Sequence, residues 1–132
     1  MANRWSGITI DCQDVQRVAA FWSALLDRAP GPTEPGWVYL GTRSDTLPRL
    51  VFQPVAEPKI GKNRLHIDVE VDDIDAGIDE VLQLGGSVTG ERHDYDEGVV
   101  VVMRDVEDNE FCLVKIYDTD AGAPYPGATG AL

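Results

Sequence analysis

Residues 64–73, RLHIDVEVDD, carry the clearest structural pattern in this chain of 132 residues. Polar and apolar side chains alternate here, as they do in a strand that buries one face. The apolar positions are Leu65, Ile67, Val69 and Val71. The polar positions between them are His66, Asp68 and Glu70.

Asp73 then stands at a helix N-cap position, before an apolar stripe at helical spacing. The stripe consists of Ile74, Ile78, Val81 and Leu82 and is closed by Gly85-Gly86. The pattern predicts a strand over 64–71 followed by a helix.

The same order of patterns occurs once before in the chain. Residues 5–12 alternate in the manner of a strand, and Asp14 occupies an N-cap position 59 residues before Asp73. The apolar stripe that follows consists of Val15, Val18, Ala19, Trp22, Leu25 and Leu26. A cluster of proline and glycine at 29–32 indicates where this helix ends. The repetition of strand, N-cap and helix predicts a duplicated unit.

Each unit continues with further strands. The remaining strand predictions are Trp37–Leu40, Arg49–Val55, Ser87–Thr89, Val99–Arg104 and Glu110–Ile116, with a polar turn over 93–98. The predicted modules are about residues 5–56 and 64–117, and the tail over 118–132 is expected to be irregular. We therefore expect an α+β fold in a single domain over residues 1–132, a length that suits one domain.

The composition excludes several kinds of partner. Eleven basic residues against 23 acidic residues give a net charge of −12. Phosphate binding needs clustered Lys and Arg, so nucleic acid and anionic membrane surfaces are not expected partners. The acidic charge would attract a cationic ligand, but solubility alone also accounts for it, as in many cytosolic proteins. The longest apolar run, Val99–Met103, is too short to span a bilayer, and the first residues lack a signal-peptide pattern. Cys12 and Cys112 form no motif and predict a reducing cytoplasm.

Four segments resemble a known family. They are ITIDCQDV with its helix segment VAAFW, PRLVFQ at 48–53, the stretch at 64–73, and DVEDNEFC at 105–112. The chain resembles the vicinal oxygen chelate superfamily over about residues 5–117, in the glyoxalase-like branch of the glyoxalase, bleomycin-resistance and dioxygenase group. The resemblance implies tandem βαβββ modules whose mixed sheets curl around a central cavity, and a homodimer. Val106 and Asp108 depart from the Pro and Gly usual in the last segment, which is a change confined to a turn.

The resemblance also implies a metal site with a His on the first strand and a Glu on the last strand of each module. His66 and Glu110 occupy these positions in the second module and are candidate metal ligands and candidate catalytic residues. In the first module Gly7 matches His66, and 49–51 offer no carboxylate. Such an ion binds two neighbouring substrate oxygens. The set is incomplete, so a divalent metal is a candidate cofactor only, with a third ligand to come from Asp11, Asp68 or Glu70.

Further side chains are expected to line the cavity. They are Thr9, Asp11, Trp37, Tyr39, Arg49, Gln53, Asp68, Glu70 and Cys112. Structural roles are open alternatives for several candidates. His66 and Glu110 could hydrogen-bond each other, Glu110 could pair with Arg49, and the aromatic residues could pack in the core. Cys112 is expected to be a structural thiol, and His93 is expected to be solvated in the polar turn.

Three functions follow as alternatives. The first is a protein that binds an unidentified small molecule, with a cationic antibiotic of the bleomycin type as one possibility. The second is a metal-dependent lyase, isomerase or dioxygenase of the glyoxalase I type. The third is metal-free acid–base chemistry with Glu110 as the base and His66 orienting it. The sequence does not decide whether the chain is an enzyme, because a fold does not fix a reaction.

Overall fold

The computed structural model describes residues 2–31 and 34–128. The chain divides into two compact units, residues 1–60 and 61–132. Within the described ranges each unit contains one helix and one mixed β-sheet, so the predicted α+β fold with mixed sheets is confirmed. None of the described helices has the length and apolar character needed to cross a membrane.

The first unit is a three-stranded sheet with one helix packed on it. Its elements are β1 (Gly7–Cys12), α1 (Val15–Leu26), β2 (Val38–Leu40) and β3 (Arg49–Pro54). β3 lies in the middle of the sheet, parallel to β1 and antiparallel to β2. α1 packs on β2 and β3. It buries Val18, Phe21 and Trp22, and β3 contributes the fully buried Phe52. These apolar side chains form the core of the first unit.

The predicted start of α1 is confirmed. The Asp14 carboxylate accepts a hydrogen bond from the backbone N–H of Arg17 at 3.1 Å, which satisfies one of the free donors of the first turn. The helix ends at Leu26, before the 29–32 cluster. Asp27 ends it by adopting a left-handed conformation with a φ of 49°, and its N–H bonds back to a carbonyl of the last turn.

The first unit shows one strand fewer, among its described residues, than the expected βαβββ module. A single bridge between Pro30 and Leu40 lies where that strand would pair. Gly31 adds one backbone hydrogen bond to the carbonyl of Tyr39 at 2.8 Å. Because proline has no N–H to donate, the pairing does not extend into a ladder.

The second unit is a four-stranded sheet with one helix. Its elements are β4 (Asp68–Glu70), α2 (Ile74–Gln83), β5 (Ser87–Tyr95), β6 (Gly98–Arg104) and β7 (Glu110–Ile116). The strand order is β4-β7-β6-β5, with β4 parallel to β7 and the other pairs antiparallel. As predicted, Asp73 caps α2 by accepting from the N–H of Ala76 at 2.9 Å, and the helix ends before Gly85, whose φ is 98°.

β4 is shorter than the predicted strand over 64–71. Its partner β7 begins at Glu110, and the register pairs Asp68 with Cys112. Residues before 66 therefore lie beyond the end of β7. Ile67 still meets β7, because its carbonyl accepts the backbone N–H of Cys112 at 3.0 Å, whereas residues 64 and 65 have no hydrogen-bonding neighbour on β7 and do not join the sheet.

β5 is longer than predicted. The prediction of a polar turn over 93–98 is wrong for residues 93–95, which belong to β5. His93 and Asp94 lie in the strand, opposite Val100 and Val99. A β-bulge interrupts the strand between Val88 and Arg92. It contains a glycine, at position 90, with a φ of 92°, a conformation that favours glycine.

The second sheet has two chemically different faces. Paired residues on neighbouring strands point to the same side, so the register assigns each residue to a face. The α2 face is apolar and includes Val69, Val101, Met103, Phe111 and Leu113. At Gly77 an added Cβ would lie 3.1 Å from Val71 and 3.4 Å from Leu113, so the glycine lets α2 approach the sheet closely. Leu82, expected in the apolar stripe, is instead exposed. We call the opposite side the polar face; it carries Asp68, Glu70, Arg104, Glu110 and Cys112.

Candidate functional site

Three side chains converge at one end of the polar face. The His66 Nδ1 lies 3.0 Å from a carboxylate oxygen of Asp68 and 3.8 Å from the Cys112 Sγ. The geometry follows from the strands, because residues two apart share a side and because Asp68 pairs directly with Cys112. One ligand atom from each residue lies within 4.8 Å of the others. We call these three residues the His66 cluster.

The cluster is open at one end and closed at the other. The side chain of His66 is 45% exposed and that of Asp68 is 29% exposed, whereas Cys112 is buried. Burial, followed by the nearby Asp68 carboxylate, raises the pKa of Cys112 to about 11. The thiol therefore stays protonated at neutral pH, which argues against a resting thiolate nucleophile.

Glu110 has a different set of contacts. Its Oε2 accepts a hydrogen bond from the backbone N–H of Asn63 at 3.0 Å, and its backbone carbonyl accepts one from the side-chain amide of Asn63 at 3.3 Å. Among the described residues, the hydrogen bonds of the His66 ring run to Asp68 and Cys112. Asn63 lies between the two predicted modules, and no motif in that stretch pointed to its contact with Glu110.

The candidates of the first unit form two separate pairs. On neighbouring strands, Gln53 donates to the Asp11 carboxylate at 2.6 Å. The Arg49 guanidinium carbon lies 5.0 Å from the centre of the Tyr39 ring, a cation–π contact. The other two candidates of this unit differ in exposure, Thr9 being exposed and Trp37 half-buried. In the second unit the remaining candidate, Glu70, is exposed on the polar face.

Position 7 has no room for a side chain. A Cβ added to Gly7 would lie 2.8 Å from the Arg49 carbonyl oxygen and 3.0 Å from its Cγ. A metal ligand at this position would require β3 to move. The match between Gly7 and His66 at the repeat offset therefore has a steric basis: the first unit cannot carry the corresponding histidine without rearrangement.

A second histidine pair lies on β5. His93 Nε2 is 3.0 Å from a carboxylate oxygen of Glu91, and both side chains are about half exposed. The hydrogen bond from His93 lowers the pKa of Glu91. This pair resembles His66 and Asp68 in its histidine–carboxylate contact, which makes it a useful internal control.

The family of the chain follows from its sequence as a whole. The model of the Glyoxalase-like domain family matches residues 7–114, which span both units. The chain belongs to this family and, with it, to the vicinal oxygen chelate superfamily, as the resemblance predicted. No curated protein sequence shows significant similarity to the chain.

Solved structures support the same fold. A glyoxalase/bleomycin resistance protein/dioxygenase family enzyme from Burkholderia phytofirmans PsJN has a TM-score of 0.69 at 14% identity, covering 86% of this chain and 99% of its own. A related protein from Nocardioides has a TM-score of 0.69 at 13% identity, covering 98% and 91%. A mutant of the fosfomycin resistance protein FosX from Listeria monocytogenes, complexed with Mn(II) and 1S,2S-dihydroxypropylphosphonic acid, has a TM-score of 0.69 at 16% identity, covering 86% and 90%. Identities this low establish the fold alone.

Proposed function

We propose that the chain binds a small molecule at the polar face of its second sheet, around a divalent cation held by the His66 cluster. The observation that carries the proposal is the convergence of an imidazole, a carboxylate and a thiol within 4.8 Å. A bound divalent cation would polarise neighbouring oxygen atoms of the ligand. The partly exposed side of the cluster leaves room for such a ligand.

The chain's own residues contribute binding and orientation. His66 and Asp68 lie 3.0 Å apart at the His66 Nδ1 and would hold the cation together with Cys112. Glu110 stands next along the same face of β7, with Asn63 holding its carboxylate. Glu110 is therefore proposed to contact the ligand rather than the cation. The structure of FosX with Mn(II) and a dihydroxy phosphonate gives an example of such a ligand in this fold.

A second candidate function is the binding of a cationic molecule without chemistry. Asp68 and Glu70 lie two residues apart on β4, at the edge of the sheet, and both are exposed to solvent. Two carboxylates in this position favour a cationic ligand, and the net charge of −12 favours it further. Under this alternative the ligand is a cationic antibiotic such as bleomycin. Under the first proposal the protein would act as a metal-dependent lyase, isomerase or dioxygenase.

We further propose that both modules belong to a single Glyoxalase-like domain, which the family match across residues 7–114 supports. Both cysteines are free thiols, the state that a reducing cytoplasm maintains, and we propose that location. The homodimer implied by the resemblance is also proposed, and light scattering on the purified protein tests it.

Thermal unfolding in the presence of probes tests the binding site. Chelator-treated protein is measured with Mn²⁺, Ni²⁺ and Zn²⁺ alone, and then with catechol, fosfomycin or bleomycin with and without each metal. We expect stabilisation by at least one metal, and by at least one organic probe, that is lost in Asp68→Asn. Asp94→Asn, which changes an exposed carboxylate of β5, is the matched control and should keep it. If no probe stabilises the wild-type protein, the proposal is wrong.

A second comparison separates the two candidate functions. Stabilisation by bleomycin that needs no metal and is lost in Glu70→Gln supports the cationic ligand. Stabilisation by catechol or fosfomycin only in the presence of a metal supports metal-assisted binding of an oxygenated ligand.

A further inference from the structure

We infer that the cation of the His66 cluster is a thiophilic ion such as Zn²⁺, and that its ligands are His66 Nδ1, an Asp68 carboxylate oxygen and Cys112 Sγ. The inference rests on the proposed function and deepens it by naming the ligand set and the class of metal. It differs from the His66 and Glu110 pair that the family resemblance implies.

The distances between the three ligand atoms fit a tetrahedral zinc site. Zinc bond lengths of about 2.0–2.1 Å to nitrogen or oxygen and about 2.3 Å to sulfur give separations of about 3.3 Å for N···O and about 3.6 Å for S···N. The corresponding separations here are 3.0 Å between His66 and Asp68 and 3.8 Å between His66 and Cys112. These two separations lie within a few tenths of an ångström of the zinc values, and all three ligand atoms lie within 4.8 Å of one another.

The donor types select the metal. A thiolate sulfur is a soft ligand that favours Zn²⁺ over Mn²⁺ or Mg²⁺, which prefer oxygen. Imidazole suits zinc equally well, and a single carboxylate completes a three-residue set. Three protein ligands leave a fourth tetrahedral position for water or a ligand atom, and the partial exposure of His66 and Asp68 gives solvent access to the cluster.

Glu110 does not fit this set. Glu110 shares a face of β7 with Cys112, but it does not belong to the group of described side chains whose ligand atoms lie within 4.8 Å of one another. The Glu110 carboxylate also accepts the backbone N–H of Asn63 at 3.0 Å. Joining Glu110 to the ion would break that hydrogen bond, whereas Asp68 already touches the His66 ring.

The chain supplies its own controls. His93 and Glu91 repeat the histidine–carboxylate contact at 3.0 Å. Among the described residues, they are not part of a cluster of three side chains that could bind a metal ion. Cys12 is the other cysteine and forms no disulfide; it is buried in the first unit, with its Sγ 3.3 Å from the carbonyl oxygen of Ile10. If the metal is bound by the His66 cluster, substitutions of His93, Glu91 or Cys12 will leave metal affinity unchanged.

Cobalt and zinc binding to the chelator-treated full chain test the inference. Co²⁺ bound through sulfur gives a sulfur-to-metal charge-transfer absorption, and we expect this band in the wild type, Cys12→Ser and Glu110→Gln but not in Cys112→Ser. Competition with a chromophoric chelator should show Zn²⁺ affinity reduced by at least about 10-fold in Cys112→Ser and Asp68→Asn. His93→Gln and Glu110→Gln should bind Zn²⁺ as the wild type does. Circular dichroism confirms that each variant is folded.

The outcomes separate this inference from the function on which it rests. If Zn²⁺ binds but Cys112→Ser leaves its affinity unchanged, the thiol is not a ligand and the inference of a thiophilic ion is wrong, while a cation held by His66 and Asp68 stands. If Glu110→Gln abolishes binding, the pair implied by the resemblance holds the metal instead. If neither Zn²⁺, Co²⁺ nor Mn²⁺ binds the wild type, both the inference and the cation in the proposed function are overturned.

Discussion

Replacing Asp105 with alanine should destabilise the protein more than any other single carboxylate change discussed above. Asp105 is 2% exposed and lies in the turn between β6 and β7. Its Oδ1 accepts hydrogen bonds from the backbone N–H groups of Glu107 at 2.9 Å and Asn109 at 3.0 Å. Its Oδ2 accepts one from the Asn109 side chain at 2.9 Å. The carboxylate therefore holds the turn that leads into Glu110.

The size of the effect follows from these contacts. Alanine leaves three N–H groups without their acceptor, and an unsatisfied buried donor costs about 1–3 kcal/mol. Glu107 and Asn109 are only half-buried, so water reaches them and the lower value applies to each. The expected loss is about 3 kcal/mol in the free energy of unfolding, or about 10 °C in Tm for a domain of this size. Asp105→Asn keeps one acceptor oxygen and should lose about 1 kcal/mol.

Urea unfolding followed by circular dichroism measures the loss, and Asp45→Ala is the control. Asp45 also accepts three hydrogen bonds, from the Thr42 N–H, the Thr42 hydroxyl and Arg28, but its side chain is 41% exposed. Water replaces these contacts readily, so the control should lose much less. Equal losses in the two alanine variants would refute the reasoning that burial, rather than the number of hydrogen bonds, sets the cost.

Three further predictions concern single side chains. Asp108 has a φ of 67°, so Asp108→Gly should raise the free energy of unfolding by about 0.5 kcal/mol in the same urea titration, and a decrease would contradict it. With a pKa of about 11, about one Cys112 thiol in a thousand is ionised at pH 8, so its alkylation should be slow there and accelerate up to pH about 11. Asp68→Asn should speed alkylation at pH 8, and an unchanged rate in peptide mass spectrometry would count against the carboxylate's effect. His93→Ala removes the hydrogen bond that lowers the pKa of Glu91, so this pKa should rise toward 4.5 in an NMR titration. An unchanged pKa would show that the hydrogen bond from His93 does not lower it.

The two helices could be predicted because their signals are local. An aspartate cap followed by apolar residues at helical spacing depends on the helix alone, and Asp14 and Asp73 both cap as predicted. The same spacing placed Trp22 in the core, where it is fully buried. It failed for Leu82, because the tight packing at Gly77 sets which side of α2 meets the sheet.

Strand lengths could not be predicted because a strand depends on its neighbour. The alternation runs evenly over 64–71, yet β4 covers only Asp68–Glu70, because the register with β7 leaves the residues before 66 without a partner there. Conversely, His93 and Asp94 have the composition of a turn but lie opposite β6 and join the sheet.

The site was predicted in part. Alternation along each strand placed Asp68, Glu70, Glu110 and Cys112 on one face, and the register confirms that grouping. The alternation alone does not say which residues meet, because this depends on how β4 aligns with β7. The pairing of Asp68 with Cys112, which brings the thiol to the His66 ring, required the structure. The roles of His66 and Glu110 stay predictions.

The bulge in β5 protects an exposed border of the second sheet. β5 is the last strand in its sheet order, and a nine-residue strand in that position could recruit a strand from another chain. The extra residues around Gly90 disturb the ladder, and charged side chains from Glu91 to Glu97 surround the rest of the strand. A designer who straightened this strand, by deleting the two extra residues at the bulge and neutralising Arg92 and Asp94, would be expected to obtain a protein that aggregates at high concentration.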